Sequence, residues 1–382
     1  MGKIKIALLI FIILINTALA AGCWNYREVE KLSIVAGIAV DKGADNKYQI
    51  SVEIIQISGG KDSKTTTKVL TTDGKTMFDA ARNMISISGK KLYWSHAKVI
   101  ILSKEIASEG VLKVLEWYNR DAETREDVNI LIANGATAKA MLEGQKSPYD
   151  IESFMLDEMI QDQISLSKAP IVNILNFDIA SRIKGNAEAL PAVSLKQMNG
   201  EMVSQVMGSA IIKDDKLVGF LNADETKDLT FIRDEVKGGI LTVEMLSDTP
   251  TLVSLEIFSN KTDIKPVADS NNIAMNLTIK TSVAIDEMSG IGNYVDDYGR
   301  AKLEESAANM LKERIEALIK KMQFAYDADI FGFGIKLHEN NSIVWKSVSS
   351  HWENTFKNLK VTVNTNVHIK NSAILASTSG GS

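Results

Sequence analysis

Helices and strands that mix without a regular strand–helix alternation predict an α+β protein: multi-domain, with mixed helices, mostly antiparallel sheets and no doubly wound sheet. Length supports more than one unit, because 382 residues exceed what one hydrophobic core ordinarily holds, and two or three domains are expected. Composition supports a packed body: hydrophobic residues make up 45% and charged residues 24%, an ordinary globular balance. Five Pro and 24 Gly exclude collagen-like or Pro-rich chains. No repeat of fixed period is visible, which argues against a solenoid or propeller.

Leu32 to Val40 is an apolar run followed by the turn Asp41-Lys42-Gly43, and Tyr48 to Ile57 then alternates in β-branched residues. Together they predict a hairpin or two neighbouring strands. Gly59 to Asp73 is polar and rich in Lys and Thr, as expected of a loop or an exposed edge. Thr76 to Ser88 predicts a helix with Phe78, Ala81 and Ile85 on one face. Leu92 to Leu102 is expected as one buried strand, and Lys104 to Asn119 as a helix packing through Val111, Leu115 and Tyr118. Asp127 to Ala133 reads as a strand and Ala136 to Leu142 as a short helix. Helices are expected over Asp150–Ile164 and Ile171–Ile183, divided at Pro170, and a strand over Leu190–Leu195.

The polar stretch Gln197 to Glu201 suggests a domain boundary, giving an N-terminal α+β region over 23–200 and a C-terminal one over 201–376. The second region opens with Val206–Ile212 and Leu217–Leu221 around Asp214-Asp215, a hairpin pattern. A helix near Glu225–Asp234 follows, then strands in Gly239–Leu246, Leu252–Phe258 and Ile273–Ile285. The clearest helix is Arg300 to Phe324, where Leu303, Ala307, Leu311, Ile315, Leu318 and Met322 recur at spacings of three and four. Such a stripe is expected to pack on a sheet of its own domain. Helical pattern returns near Val344–Phe356, Val361–Ile369 alternates as a last strand, and residues 377–382 form a flexible polar tail.

The first 22 residues are expected to be a signal segment outside the fold. Lys3 and Lys5 precede the apolar run Ile6–Ile15, and Ala18-Leu19-Ala20-Ala21-Gly22 leads into Cys23. A basic start, a short apolar core and small residues before the cut make a secretory signal, and the apolar run is too short for a bilayer span of about 20 residues. A small residue directly before Cys is the bacterial lipoprotein pattern, so Cys23 is expected to carry S-linked diacylglycerol and an N-acyl chain. It is the chain's only Cys, which excludes an internal disulfide or a multi-Cys zinc site. Losing Lys3 and Lys5 takes the net charge from −5 to −7, so acyl chains rather than a basic body must hold the mature chain on a membrane. That balance also argues against nucleic acid as a partner.

No catalytic or cofactor signature emerges. His96, His338, His351 and His368 form no H-E-x-x-H and no metal-spaced pair, and His96 is expected in a strand as a structural residue. Neither a G-x-S-x-G elbow nor a phosphate-binding loop occurs. Gly290-Ile291-Gly292 and Gly332-Phe333-Gly334 read as turn devices, and Asp214-Asp215, Asp296-Asp297 and Glu304-Glu305 as solvated carboxylates. The expectation is therefore a binding or assembly protein, with no cofactor, no metal and no catalytic residues, whose lipid-free body is monomeric.

Several blocks point to one family. They are Gly22-Cys23-Trp24-Asn25-Tyr26-Arg27-Glu28, then Ile34 to Lys42, Lys91-Leu92-Tyr93-Trp94-Ser95-His96-Ala97-Lys98-Val99-Ile100 and Lys216 to Leu221 with Glu225-Thr226. Asp329-Ile330-Phe331-Gly332-Phe333-Gly334, Trp345-Lys346 and Trp352 complete the series. In this order the chain resembles the C-subunit lipoproteins of spore germinant receptors, the GerAC-like family, departing at Asn25-Tyr26. The resemblance implies a non-enzymatic α+β lipoprotein on the outer face of the spore inner membrane, assembled with A and B subunits to sense a nutrient. A lipid-anchored solute-binding protein of a transporter is the alternative, and a cell-envelope hydrolase a third.

Overall fold

A computed structural model describes residues 2, 4–11, 32–57, 65–120, 124–144, 151–245, 250–268, 272–290, 294 and 296–370. The chain is α+β, as expected, and is built on two sheets.

The first sheet comprises β1 (Leu32–Lys42), β2 (Tyr48–Ile57), β3 (Thr65–Gly74), β4 (Lys91–Tyr93), β5 (Val99–Leu102), β6 (Asn129–Ala133), β7 (Glu188–Met198), β8 (Glu201–Lys213) and β9 (Lys216–Leu221). Its order is β3-β2-β1-β5-β6-β7-β8-β9, with β4 beside the start of β1. The middle run β1-β5-β6-β7 is parallel and both flanks are antiparallel. Parallel strands covered on both faces need apolar residues at every position, and β5 and β6 are buried throughout. Ile100, Leu102, Ile130 and Ile132 enter one core, beneath the helices Met77–Asn83, Leu112–Arg120 and Ile174–Ser181. Val99, Ile101, Leu131 and Ala133 enter the other, beneath Ala138–Leu142 and Glu152–Gln161.

The second sheet runs β10 (Ile240–Met245), β11 (Thr251–Ala268), β12 (Ile273–Ser289) and β13 (Lys360–Ile369), antiparallel except for the β12/β13 pair. One face is buried by the helix Asp297–Lys321 through Leu303, Ala307, Leu311, Ile315 and Leu318, as their spacing predicts. The other face leaves Ile240, Leu252 and Phe258 exposed, the pattern of a sheet covered on one side.

The two sheets share a core rather than a linker. The helix Ala223–Ile232 is buried from Thr226 to Ile232, and Leu229, Phe231 and Ile232 pack with Ala189, Ile211 and Leu221 of the first sheet and Leu241 and Leu255 of the second. The boundary expected near residue 200 falls on the Asn199-Gly200 turn between β7 and β8, inside the first sheet, and passage between sheets takes place over 222–239.

Four local expectations are corrected. Leu92–Leu102 is broken by a 3-10 turn over Trp94–His96, so His96 is an exposed turn residue rather than a strand residue. Lys104–Asn119 divides into Lys104–Glu109 and Leu112–Arg120 at Gly110, whose φ of +140° no helix accommodates. The inner face near residue 80 is Met77, Ala80, Ala81 and Met84, while Phe78 and Ile85 look outward. Gly332-Phe333-Gly334 is not only a turn: Gly332, at φ +76°, opens the helix Phe333–Asn340.

Candidate functional site

The expected attachment residue, Cys23, lies outside the described residues, so the site it would form is not described by geometry. The described histidines stay apart. His96 lies 5.6 Å, ring to ring, from Tyr93, and His338 5.9 Å from Trp345. His351 Nδ1 lies 3.2 Å from the Ser350 hydroxyl, and His368 Nδ1 3.1 Å from Glu304. No group of three His, Cys, Asp or Glu able to hold a metal occurs among the described residues. One member of each carboxylate pair makes a structural contact. Asp214 and Asp215 adopt φ of 48° and 69° in the β8–β9 turn, and Asp215 accepts the Leu112 N–H at 2.6 Å. Asp296 caps the long helix by accepting the Gly299 N–H at 2.7 Å, and Glu304 accepts the Ile369 N–H at 2.7 Å.

The Asp329–Gly334 block forms a buried junction. One Asp329 oxygen accepts the N–H groups of Phe331 and Phe333, both at 3.2 Å. The other accepts Gly334 N–H at 2.8 Å and Trp352 Nε1–H at 3.1 Å. Burial nevertheless pushes the carboxyl above its ordinary range, because it outweighs those four donors. Arg233 reaches the same turn, donating from Nε to the Ile330 carbonyl at 2.7 Å and lying 3.4 Å from Glu188 on β7. The block therefore ties the last helices to the first sheet.

A concavity lies where the two sheets meet. A cleft of about 440 Å³ is lined by Ser165, Leu166, Lys168, Asp224, Lys227, Gly239, Ile240, Thr242 and Arg314. Its floor is tied down by Ser167, whose hydroxyl donates to the Gly238 carbonyl at 2.9 Å, and by Gly239, where a Cβ would stand 2.9 Å from the Leu166 carbonyl oxygen. Lys227 is 3% exposed and donates to the Ile240 carbonyl at 2.8 Å. Burial first, then repulsion from Lys168 and Arg314, brings its ammonium down to about 8. The neighbouring Asp228 pairs with Arg314, whose Nε donates to Oδ2 at 3.1 Å, while Nη2 stands 2.9 Å from Oδ1 without hydrogen-bond alignment. Burial pushes Asp228 up to about 6 against that pull. Three cations converging from three segments suit a small anion. None was singled out in the sequence. The helix Ala223–Ile232 is polar in sequence, with Asp224, Glu225, Thr226, Lys227, Asp228 and Thr230, so nothing in its pattern announced that Lys227 and Asp228 would be buried.

Comparison with known proteins covers both halves. The family described as "Spore germination protein N-terminal domain" matches residues 25–195, and "Spore germination B3/GerAC like, C-terminal" matches 207–373. Spore germination protein B3 of Bacillus subtilis (strain 168) is 26% identical over 345 residues, covering 88% of this chain and 90% of that protein. Spore germination protein YndF of the same organism is 26% identical over 382 residues, covering 91% and 92%. The crystal structure of the GerBC protein superposes with a TM-score of 0.57 at 22% identity, covering 90% of this chain and 100% of that one, which shows a shared fold. With both halves matched in order and the fold in common, the chain belongs to the GerAC-like family of spore germination proteins.

Proposed function

We propose that this chain is the lipoprotein subunit of a nutrient germinant receptor. It acts without catalysis, by assembling with an A subunit and a B subunit on the outer face of the spore inner membrane, and Cys23 carries the lipid anchor. The observation that carries the reading is the family match in both halves, which together take in nearly all of the chain beyond residue 23. The short apolar run ending at Ala21-Gly22-Cys23 supports the anchor. No helix among the described residues is long and apolar enough to cross a membrane. Purification of the tagged chain from spore membranes tests the assembly. Recovery of the two membrane subunits in constant proportion is expected, and recovery of the chain alone would overturn it.

One observation favours a second reading, solute capture. The cleft holding Lys168, Lys227 and Arg314 is of a size and charge that suit a small carboxylate. Calorimetric titration of the full chain in detergent with succinate and inorganic phosphate separates the two. Saturable binding that is lost in Lys227→Met would support capture by this subunit. Absence of heat would leave assembly as its role.

A further inference from the structure

We infer that the end of the first sheet at which β1 begins lies against the lipid surface, with Phe78, Ile85 and Ile87 among the acyl chains and Arg82, Lys90 and Lys91 against anionic headgroups. The inference rests on Cys23 as the anchor but goes beyond it, because an anchor alone leaves every face of the body free to turn toward the membrane.

Topology selects this end. β3 runs alongside β1 in the same direction through the antiparallel β2, so Gly74 lies near the end of β1. The helical segment Met77–Ser88 then runs back to β4, whose Lys91, Leu92 and Tyr93 pair with Leu32, Ser33 and Ile34. Ile85, Ile87, Lys90 and Lys91 therefore cluster where the chain enters the fold. Leu32 is nine residues from Cys23, and nine residues span at most about 30 Å whatever path they take.

Chemistry fits a lipid surface. Phe78 is 40% exposed, Ile85 38% and Ile87 51%, where a surface turn would ordinarily carry polar side chains. Phe78 and Ile85 join Arg82, Lys91, Leu92, Trp94 and Trp117 around one shallow groove. After the turn at Gly89, with φ +68°, Lys90 and Lys91 follow the two isoleucines in sequence, and Lys91 lines the same groove as Ile85. A basic cluster on a body of net charge −7 is local, and anionic headgroups attract such a cluster while repelling the rest. Apolar side chains flanked by Lys and Arg are the composition of an interfacial contact.

The opposite end supplies a control. Met202, also exposed, follows the β7–β8 turn at the far end of the parallel strands. Along the eleven residues of β1 that separation is on the order of 35 Å. A diazirine-bearing residue is placed at position 87 or 202 of the full chain, in membranes that also contain the two larger subunits, and adducts are identified by mass. Lipid adducts at 87 and few at 202 are expected. Introducing Ile85→Asp should lower lipid capture at 87 about fivefold or more, with the far-ultraviolet spectrum and cooperative unfolding kept, because the side chain is more than a third exposed. Protein adducts at 87, equal lipid capture at both positions, or none at either would overturn the inference. The mass of the mature N-terminus is read in the same sample. Lipid capture at 87 with an unmodified Cys23 refutes the anchor and keeps the face, and a modified Cys23 without capture refutes the face alone.

Discussion

Trp352 shows how single residues tie this molecule together. Its indole donates to Asp329, and its ring lies against two glycines where an added methyl group would crowd it. A Cβ on Gly334 would stand 3.0 Å from the indole, and one on Gly185 2.6 Å from it. Gly185 also sits at φ +75°, where any side chain is strained. Gly185→Ala is therefore expected to lower the unfolding midpoint more than Gly334→Ala, as thermal melts of the two variants would show. Asp329→Asn tests the same junction from the acceptor side. An amide has only one acceptor oxygen, so two of the four donors would face an NH2 group. A loss of about 1–3 kcal/mol for each is expected in urea unfolding, and an unchanged midpoint would contradict the hydrogen-bond assignment.

At the scale of elements, the helix Asp297–Lys321 buries the stripe that its spacing announces. Leu311 is fully buried, so Leu311→Ala should cost about 2–5 kcal/mol through lost transfer energy and a residual cavity, measured by urea unfolding. An unchanged midpoint would mean that the site collapses around the smaller side chain. That helix, the long strands of the second sheet and the closing strand were legible because each has one wet and one dry face, and alternation or a stripe records that directly. The parallel centre of the first sheet was not legible. Val99-Ile100-Ile101-Leu102 is buried on both faces and carries no period, so it merged with Leu92 across the Trp94–His96 turn. Met77, Ala80 and Met84 were passed over for the larger Phe78 and Ile85, because size alone does not say which side of a short helix meets the sheet. The cleft was illegible for another reason. Lys168, Lys227 and Arg314 come from segments far apart in sequence, and only the packing of the helix Ala223–Ile232 between the sheets brings them together. The Asp329–Gly334 block was visible as a family signature, but its place at the centre of a junction needed the fold.

Across the whole molecule, the seam between the sheets has a pH signature whose sign follows from two buried charges. Asp228 is raised to about 6, so between its ordinary value near 3.8 and 6 the folded chain binds more protons than the unfolded one. Stability from this group therefore falls as pH rises through that window. Lys227 is lowered to about 8, so between 8 and its ordinary 10.5 the unfolded chain binds more protons, and stability from this group climbs as pH rises. The pair gives a contribution that declines to pH 6, stays level to pH 8 and then recovers. Denaturation midpoints of the parent minus those of Asp228→Asn should lose the acid limb, and those of the parent minus Lys227→Met the alkaline limb. A difference curve flat in both windows would mean that water reaches the seam and that neither charge is held at a cost. The anchor is the other whole-molecule question, and its prediction is the most exposed. Cys23 is the only thiol in 382 residues, so Cys23→Ala removes the sole acceptor for a diacylglyceryl group. With a mature charge of −7, electrostatic attraction to an anionic bilayer cannot replace it. Cleavage at Gly22-Cys23 depends on prior lipidation in this reading. The variant should therefore persist as an uncleaved precursor held by its apolar run, or be released where another peptidase cuts. Cys23 precedes the first strand, Leu32–Lys42, by nine residues, so the melting profile is expected to match that of the parent. If the anchor serves to concentrate the chain beside its membrane partners, spores carrying the variant should respond poorly to nutrient at unchanged protein level. An unmodified Cys23 in membrane-purified parent would remove the lipoprotein reading. A normal response in Cys23→Ala spores at unchanged protein level would leave lipidation standing but remove its importance for germination.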